Sequence, residues 1–502
     1  MIEIELKFRI PADRLAQVRR AVATSSAETI ELQAAYFDTQ GGALAAARLA
    51  ARVRREGAQW VQALKTAGDG VARRGEHEVM RGSGRRMPEF DPAAHVAAPE
   101  MAQALQAALA ADPAGGAGLH KVFETQVRRT RRLVRAGPAR IELALDEGVI
   151  RAGAREAAVA ELEFELKAGR ALALFELAAQ WVDRHRLWLD PRSKAERGEA
   201  LARGDPPPPA VKSRSLALSG DTPPGAALKA MVGSALAQVL HNAAVLADER
   251  GRPEHVHQLR VGLRRLRSAL RIFGAMAPDA EAAGAIESAA RPLFAALGSR
   301  RDQDVVSEML AAPLYAAGLD PVHLLGQAEP DDPGVLVRGG AFNRFALQVL
   351  AFAATDGAPD GPSEAGEVAA PASLQRLARQ GLARAWKRIE RDAGHFADIT
   401  EDERHALRKR AKRLRYALEF TADLWPQRRT KPFLAALARA QDVIGAYNDS
   451  VVADELLRSL DRRDPSVAFA AGWVTARRAE ALRECERPLR RLLKAQRPWV
   501  KG

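Results

Sequence analysis

The chain has 502 residues, which at roughly 150 residues per domain predicts two to four domains with ample material for buried cores. Its composition, with 47% hydrophobic and 28% charged residues, is that of an ordinary soluble protein and excludes a disordered tail or a small disulfide-stapled domain. The net charge of +13 indicates polyanionic partners but does not identify them.

Location and redox chemistry follow from the N-terminus and the cysteine count. Residues 1–5 carry carboxylates where a secretory signal has basic and then apolar residues, and no uninterrupted apolar stretch approaches the roughly 20 residues of a membrane-spanning helix. We therefore expect a cytoplasmic protein that does not cross a membrane. The single cysteine, Cys485, cannot form an internal disulfide and lacks the partners of a zinc site.

Short segments with period-two alternation fill the first part of the chain. Apolar and polar residues alternate over 2–8, 52–62, 141–146 and 161–167, which predicts a largely antiparallel β domain over 1–204. The proline run at 206–209 and the serines that follow predict a semi-rigid linker over 205–220. Beyond it, apolar residues recur at helical spacing and predict an all-α domain over 221–502.

Carboxylates share faces on two of the predicted strands. Side chains at i, i+2 and i+4 of a strand point to one side, so Glu3, Glu5 and Lys7 share a face. The glutamates at positions 161, 163 and 165 repeat this arrangement. Clustered carboxylates are tolerable on a solvated face or around hard divalent cations, and both interpretations remain open.

Other strands carry basic residues that could enclose phosphate. Arg52 and Arg54 share a face, as do Arg129 and Arg131, and Lys65 lies on a further strand. A barrel covered outside by helices would turn these polar faces inward, which is sustainable only if the charges neutralise each other or a ligand.

Phosphoryl transfer is the chemistry that these residue types fit. It requires neutralisation of charge on the phosphate oxygens and an aligned water, and metal ions with Arg and Lys provide the former. A carboxylate such as Glu78 or Glu142 could orient or deprotonate the water. Pairing with arginine is an equal alternative for both glutamates.

The motif Glu3-Ile4-Glu5-Leu6-Lys7 resembles the ExExK opening of the CYTH family, the triphosphate tunnel metalloenzymes. Further matches follow in the expected order over residues 1–204: Tyr36-Phe37-Asp38-Thr39, Arg52 with Arg54, Leu64-Lys65, Glu161-Leu162-Glu163-Phe164 and Ser193-Lys194. The resemblance implies an eight-stranded antiparallel tunnel that holds Mg²⁺ or Mn²⁺ and grips a triphosphate.

The resemblance also implies roles for individual residues. The metal ligands would be Glu3, Glu5, Glu161 and Glu163. The triphosphate-binding residues would be Lys7, Arg52, Arg54, Lys65, Arg129, Arg131 and Lys194. Lys7 is also counted with Glu78 and Glu142 among the predicted catalytic residues.

The helical half repeats itself. The segment 257–270 returns at 405–418, an offset of 148 residues (405 − 257), and Leu297-Gly298 is echoed by Ile444-Gly445. We therefore predict a duplicated helical bundle with repeats at about 221–328 and 372–502.

Each repeat carries a basic stripe on one helix face. In the first, His257, Arg260, Arg264, Arg267 and Arg271 fall at helical spacing, opposite a leucine stripe. The second has His405, Arg408, Lys412 and Arg415, and Glu419 stands where the first has Arg271. A basic face is often simply solvated, but residues 255–273 contain no acid, so an anion lying across the stripe is the alternative. The histidines could bind phosphate or serve local packing.

These stripes resemble the CHAD family, whose members are duplicated helical bundles that bind inorganic polyphosphate, and the resemblance covers residues 221–502. It implies that one polyphosphate-binding groove is lined by His257, Arg260, Arg264, Arg267, His405, Arg408, Lys412 and Arg415. Asp302 and Asp449 would position basic side chains.

The leading prediction is an inorganic triphosphatase that hydrolyses triphosphate to pyrophosphate and phosphate, with a helical domain that binds polyphosphate and could bring the enzyme to polyphosphate granules. An organic substrate such as thiamine triphosphate or ATP would want an aromatic platform, for which Trp60 and Tyr36 are the candidates. A noncatalytic polyphosphate-binding or granule-associated protein is a third hypothesis. Nucleic-acid binding is disfavoured because the stripes lack interleaved aromatic residues.

Overall fold

The computed structural model describes residues 4–66, 75–112, 118–204, 206–319, 332–354 and 373–500, except for the side chains of 299–305. The chain divides into two compact units. The first consists of Met1–Val211, Ala237–Gln258 and Gly334–Thr355, and the second of Lys212–Leu236, Leu259–Pro333 and Asp356–Gly502. The predicted order, an antiparallel β part followed by a helical part, is confirmed. The first unit also includes segments of the helical part.

Nine strands form one antiparallel sheet in the first unit, within the described ranges. The strands are β1 (Glu5–Arg9), β2 (Glu28–Asp38), β3 (Leu49–Glu56), β4 (Gln59–Thr66), β5 (Gly75–Ser83), β6 (His120–Ala136), β7 (Ala139–Ala152), β8 (Arg155–Ala168) and β9 (Trp188–Leu189). Their order in the sheet is β5-β4-β3-β2-β6-β7-β8-β1-β9. The expected eight strands are thus joined by a ninth, of two residues, that pairs with β1.

The pairing register places the charged residues on one face of this sheet. Residues that pair directly across neighbouring strands share a face. Asp146 pairs with both Arg129 and Glu161, and Glu163 pairs with Lys7. We call this surface the charged face, and its members are Glu5, Lys7, Arg52, Arg54, Lys65, Glu76, Glu78, Arg129, Arg131, Glu142, Asp146, Glu161, Glu163 and Glu165.

The opposite face of the sheet is apolar and covered by helices. The helices preceding the linker are α1 (Leu15–Val22), α2 (Ala43–Ala46), α3 (Pro99–Ala110), α4 (Ala171–His185) and α5 (Lys194–Arg203). The Phe8 and Phe164 rings meet edge to face, and Phe164 in turn contacts Trp181 of α4. Leu105 of α3 packs into a second cluster with Val53 and Leu64. The predicted arrangement, apolar outside and polar inside, follows from this covering.

The sheet curls around the charged face. In a flat sheet β1 and β4, six positions apart in the strand order, would be about 29 Å apart, at about 4.8 Å per strand. Nevertheless, the pKa of Lys65 on β4 falls to about 8 because the ammonium is buried and because Arg52 and Lys7 repel it, with Glu76 opposing the change. Lys7 on β1 is thus among the charges that act on Lys65, although six strand positions separate the two strands in the sheet order.

Helix α5, unlike the covering helices, packs on the charged face, at the end where its residues are apolar. Ala195 of α5 packs with Phe123, Val127 and Ile150. A Cβ at Gly198 would lie 2.1 Å from the Phe123 ring, so only glycine permits this close approach. Ser193 caps the helix through a reciprocal hydrogen-bond pair with Glu196.

Eleven further helices follow within the described residues. They are α6 (Pro224–Ala247), α7 (Pro253–Phe273), α8 (Ala280–Ala296), α9 (Gly298–Ala316), α10 (Pro333–Arg338), α11 (Gly340–Ala354), α12 (Leu374–Gly394), α13 (Glu401–Phe420), α14 (Gln427–Arg458), α15 (Pro465–Glu484) and α16 (Glu486–Lys494). In the second unit, Trp386, Phe433 and Trp499 form one aromatic cluster. Apolar residues of α9, α14 and α15 form another core.

Helix positions agree with the predicted duplication. Helices α7 and α13 begin 148 residues apart (401 − 253), and each is followed by a 3₁₀ turn at the same offset (422 − 274). The second repeat continues with one long helix, α14, where the first has α8 and α9. The break between α8 and α9 falls at Leu297 and Gly298, the pair that the sequence echoes at 444 and 445.

Segments beyond residue 204 complete the first unit. The Asn343 amide of α11 accepts a hydrogen bond from Leu189 N (2.7 Å), and Arg344 pairs with Asp183 of α4. The backbone of Val211, in the linker, both donates to and accepts from the Asn242 amide of α6 (3.1 and 2.9 Å). The linker is therefore held by hydrogen bonds along part of its length.

Helix α6 is long and apolar enough to cross a membrane by length and composition alone. However, 72% of its most apolar window is buried inside the protein. Such burial is typical of the core helix of a soluble fold.

Candidate functional site

Three buried carboxylates meet on the charged face. Ligand oxygens of Asp146, Glu161 and Glu163 all lie within 4.8 Å of one another. We call these residues the carboxylate triad. The Nζ atom of Lys194, the first residue of α5, lies 2.7 Å from Asp146 Oδ2, 2.8 Å from Glu161 Oε2 and 3.0 Å from Glu163 Oε1. The ammonium therefore contacts all three carboxylates.

Further cations surround the triad. Arg129 donates from Nε and Nη2 to the two oxygens of Asp146, both at 2.7 Å, and from Nη2 to Glu163 Oε2 at 2.5 Å. Arg197 of α5 pairs with Glu161 and donates to the Ala158 carbonyl (2.9 Å). Lys7 Nζ lies 3.8 Å from Glu163 and 3.3 Å from Glu5.

Glu163 is held in its charged form. Burial alone would raise the pKa of Glu163, but Arg129, Lys194 and Lys7 lower it well below the ordinary glutamate range. Burial would correspondingly lower the pKa of Lys194, yet Asp146 and Glu163 raise it above its ordinary value. These opposed shifts indicate a buried ion pair in which the Glu163 carboxylate and the Lys194 ammonium stay ionised at neutral pH.

The triad has the donor chemistry of a divalent-cation site. Carboxylate oxygens are the ligands that Mg²⁺ and Mn²⁺ prefer. Glu161 Oε2 is buried and lies 2.8 Å from the Lys194 ammonium, and a carboxylate oxygen has a second lone pair to offer a metal ion. The triad therefore fits a hard metal ion. Of the other predicted ligands, Glu5 lies beside Lys7, and Glu3 lies outside the described residues.

A second charged group lies on β3, β4 and β5. Arg52 Nη2 donates to Glu76 (3.1 Å) and Glu78 (3.3 Å), and Arg54 Nη2 donates to Glu78 (3.1 Å). Lys65 Nζ donates to Glu76 at 2.7 Å. The predicted phosphate-binding residues Arg52, Arg54 and Lys65 thus lie together and are partly neutralised by two glutamates.

The two candidate water-activating glutamates have different surroundings. Burial and a hydrogen bond with Glu76 raise the pKa of the Glu78 carboxyl, although Arg54 and Arg52 oppose the change. Glu142, in contrast, lies 3.9 Å from Lys167, which also pairs with Glu165. Only Glu78 of these two lies against the predicted phosphate-binding arginines.

Arg131 is the predicted phosphate ligand most exposed to solvent. It shares the charged face, but its guanidinium pairs with Glu28 at 3.2 Å, and the Glu28 side chain is 70% exposed. If Arg131 bound phosphate, it would give up only its weak, solvent-exposed ion pair with Glu28.

In the second unit, the basic stripes of α7 and α13 lie side by side. The pKa of Lys412 falls to about 7 because the ammonium is buried and because Arg408, Arg264 and Arg260 repel it, whereas Asp449 raises it. Burial and repulsion from Arg271 and Arg267 likewise lower the pKa of Arg413. The two helices also contact each other directly, since Arg265 of α7 pairs with Glu419 of α13 at 2.7 Å. We call the two stripes together the basic surface and define its core as Arg264, Lys412 and Arg413.

The core of this basic surface is not neutralised. Within the described part of the chain, Arg264, Lys412 and Arg413 make no ion pair with a carboxylate. Phe294 of α8 lies beneath the stripe, with the Arg264 guanidinium carbon 5.8 Å from its ring centre. The Nε atom of Arg264 is buried without a hydrogen-bond partner.

Several other predicted stripe residues have partners within the protein. Arg260 Nη1 donates to the carbonyls of Leu297 (2.8 Å) and Gly298 (3.1 Å), at the end of α8. Arg267 donates to Glu287 at 3.0 Å, as does Arg271 at 2.8 Å.

In the second repeat, His405 Nδ1 lies 2.5 Å from Asn448 Oδ1, and Arg408 donates to Asp449 (3.3 Å). Arg415 donates to Glu419 at 2.8 Å, and Glu419 also pairs with Arg265. His257 lies half-buried on α7, and the side chain of Asp302 is outside the described part.

Among the contributing residues that were absent from the predicted site are Asp146, Arg197 and Glu287. Asp146 lies on the same strand face as Glu142, but only the register between strands shows that Asp146 is next to Glu161. Arg197 follows Lys194 by three residues on α5, and that spacing puts both on one side of a helix. Glu287 gave no sequence signal, because its partners lie 16 and 20 residues away on another helix.

Models of two protein families match the chain. That of the CYTH domain matches residues 1–198, and that of the CHAD domain matches residues 230–458. The chain carries a CYTH domain followed by a CHAD domain. The resemblance inferred from the sequence motifs is thereby confirmed.

Three individual relatives each match part of the chain. An inorganic triphosphatase of Haemophilus influenzae is 30% identical over 203 residues, or 40% of this chain and 54% of that protein, so the match spans about half the length of this curated relative. The CHAD domain of Ricinus communis is 28% identical, with 58% of this chain and 98% of its own covered and a TM-score of 0.47. PptA of Streptomyces chartreusis is 18% identical, with coverages of 55% and 99% and a TM-score of 0.38.

Replacing Asp146 by Asn tests the buried network of the CYTH domain. Removing one partner of a buried ion-pair network leaves the others unneutralised, so we expect the free energy of unfolding to fall by about 3–5 kcal/mol. The matched control is Glu147→Gln, one residue away, which disrupts only the pair with the half-exposed Arg19 and should cost less than about 1 kcal/mol. Urea denaturation of the full chain measures both. Equal losses for the two variants would contradict the network.

Proposed function

We propose that this protein is a metal-dependent inorganic triphosphatase, hydrolysing triphosphate to pyrophosphate and phosphate, and that its CHAD domain binds inorganic polyphosphate. The observation that carries the first part is the charged face, on which a buried carboxylate triad and the predicted phosphate-binding side chains lie together. The match to the CYTH family supports the same reaction, as does the relative named an inorganic triphosphatase, of which the match covers about half.

Metal and phosphate would bind to different parts of the charged face. Asp146, Glu161 and Glu163 would hold the metal, with Glu5 on the adjoining strand β1. Bound Mg²⁺ or Mn²⁺ would neutralise charge that develops on the phosphate oxygens. Arg52, Arg54, Lys65 and Lys7 would orient the triphosphate and share that neutralisation, since guanidinium and ammonium groups donate strong hydrogen bonds to phosphate.

Glu78 is the carboxylate that best suits activation of water. It contacts Arg52 and Arg54, so a water that it orients would lie next to a phosphate bound there. Its raised pKa brings the carboxyl closer to the neutral range in which a general base is effective. Glu142 has Lys167 and Glu165 as neighbours instead.

The aromatic residues favour an inorganic substrate. Trp60 is buried in the outer core, and its indole donates to the Gly84 carbonyl (3.0 Å). Tyr36 shares the charged face with Arg52, but its ring is stacked on Phe123 with a centroid distance of 4.4 Å. Neither ring offers a free platform for an adenine or thiamine ring.

The basic surface supports polyphosphate binding by the CHAD domain. Arg264 repels Lys412, Arg271 and Arg267 repel Arg413, and no described carboxylate pairs with the three core residues. A polyanion that lies across α7 and α13 would relieve this repulsion. Polyphosphate has a charge on every unit and could follow the surface along both helices. Retention at polyphosphate granules in the cytoplasm would follow from such binding.

Substitutions of the metal-binding glutamates test the catalytic proposal. Glu5→Gln and Glu163→Gln should each reduce Mg²⁺-dependent phosphate release from triphosphate by about a hundredfold or more, because a neutral amide binds a hard cation poorly. Circular dichroism should show that both variants are folded, and Glu5 is the safer position because it is less buried than Glu163. Glu147→Gln, on the opposite face, should retain full activity. Unchanged hydrolysis in both variants would show that these glutamates do not support the reaction, whereas absence of hydrolysis by the unaltered chain would favour the noncatalytic alternative.

The same assay with a panel of substrates separates the two enzyme hypotheses. We expect triphosphate to be hydrolysed faster than ATP, thiamine triphosphate or long-chain polyphosphate. A preference for either organic triphosphate would show that the protein recognises the organic group as well as the phosphate chain.

Charge reversal tests polyphosphate binding. The double variant Arg264→Glu, Lys412→Glu should weaken binding of long-chain polyphosphate by at least about a hundredfold, at roughly tenfold per reversed charge. Fluorescence anisotropy with labelled polyphosphate measures the affinity. Arg487→Glu, at an exposed arginine of α16, makes the same type of change elsewhere and should have little effect. Undiminished binding by the double variant would refute the basic surface as the site.

The lowered pKa of Lys412 predicts a pH dependence of that binding. The ammonium is charged below about pH 7 and neutral above it, and a polyanion binds the charged form. Proton linkage then predicts that affinity falls about tenfold between pH 6 and pH 8. Lys412→Arg should bind with little change over this range, because arginine stays charged. The same pH profile in both proteins would contradict the assignment to Lys412.

A further inference from the structure

One side chain already occupies the position that a metal ion would take. Lys194 Nζ lies 2.7–3.0 Å from an oxygen of each triad carboxylate. The Lys194 backbone is fixed, because it begins the capped helix α5 and because Gly198 is seated against Phe123. The ammonium thus sits within the donor set itself.

An ammonium and a divalent cation cannot share this donor set. Mg²⁺ requires oxygens at about 2.0–2.1 Å in near-octahedral geometry, so the ion would have to lie among the same oxygens that Nζ now contacts. Two cations at that separation repel each other strongly in a buried site. The lysine stem has four flexible methylenes, so the ammonium can move while α5 stays docked.

We infer that Lys194 is an internal counter-ion of the carboxylate triad that a divalent cation displaces, and that the released ammonium then binds the triphosphate. This inference rests on the proposed metal site. It reconciles the expectation that Lys194 binds phosphate with a structure in which its ammonium contacts three carboxylates. It also sets an order of binding, in which Lys194 reaches the triphosphate only after the metal has bound.

Arg129 and Arg197 differ from Lys194, because each holds part of the triad and neither contacts all three carboxylates. Arg129 holds Asp146 through two parallel hydrogen bonds, and Arg197 holds Glu161 while also donating to a backbone carbonyl. Both therefore keep carboxylate oxygens of the triad in position. Lys194 alone among these cations contacts all three triad members in the described residues.

Metal affinity of the full chain tests the exchange without reference to catalysis. Calorimetric titration with Mn²⁺ should show affinity at least about tenfold higher for Lys194→Met than for the unaltered chain, because the competing cation is gone. The control Lys167→Met removes a cation from the same sheet face, beside Glu142 and Glu165, and should change the affinity less than about threefold. Unchanged or weaker Mn²⁺ binding by Lys194→Met would overturn the inference.

A second measurement uses the unaltered chain, because Lys194→Met could fail to fold. Acetylation by an N-hydroxysuccinimide ester, quantified for each lysine by mass spectrometry, should be slow at Lys194 without metal. Saturating Mg²⁺, without triphosphate, should increase its labelling several-fold, while the labelling of Lys121 at the exposed end of β6 should stay constant. Equal labelling of Lys194 with and without Mg²⁺ would also overturn the inference. Neither readout depends on turnover, so absence of triphosphate hydrolysis would refute the proposed function while leaving the exchange intact.

Discussion

The CYTH domain depends on the neutralisation of three carboxylates that are buried on one sheet face. A buried carboxylate without a partner is expensive, so Asp146, Glu161 and Glu163 can coexist only where cations reach all of them. Two of these cations, Lys194 and Arg197, come from α5 and not from the sheet. Docking of α5 is therefore a condition for the site, and the glycine at 198 that allows its contact with Phe123 is a condition for the docking.

The inverted polarity of the sheet has a second consequence. Because the charges face inward, the apolar side chains face outward and must be covered by helices. Helix α4 covers Phe164, and α11, from far along the chain, packs on α4 through Arg344 and reaches β9 through Asn343. The compact unit that contains the sheet thus draws on segments well beyond the linker, although the sequence places them in the helical part.

The sequence could predict which residues share a strand face, but not which strands are neighbours. Period two fixes the side on which Glu5, Lys7 or Glu163 lies, because consecutive side chains alternate. The pairing of Asp146 with both Arg129 and Glu161 depends on a register between strands, which no single strand encodes. The position of α5 was likewise invisible, because its contacts with the sheet face come from tertiary packing.

In the helical part, the spacing of the basic residues correctly predicted that the stripes lie on α7 and α13. It could not predict which stripe residues have partners within the protein. Arg260 and Arg264 are four residues apart on one helix, yet the first donates to carbonyls at the end of α8 and the second has no ion-pair partner among the described residues. The difference is set by where α8 ends. Periodicity therefore identifies a basic face, whereas only packing tells which charges on it remain available to a ligand.

The two candidate anion sites handle charge in opposite ways, and this difference explains why one would need a metal and the other would not. Around the triad, the four carboxylates of Glu5, Asp146, Glu161 and Glu163 meet four cations, Lys7, Arg129, Lys194 and Arg197. An incoming triphosphate would find no surplus positive charge there, so a divalent cation must enter first or a lysine must be released. On the basic surface of the CHAD domain, Arg264, Lys412 and Arg413 have no carboxylate partner within the described part of the chain, so a polyanion could bind there directly. We therefore expect metal dependence at the carboxylate triad, where the charges are balanced, and pH dependence at the basic surface, where burial and repulsion lower the pKa of Lys412.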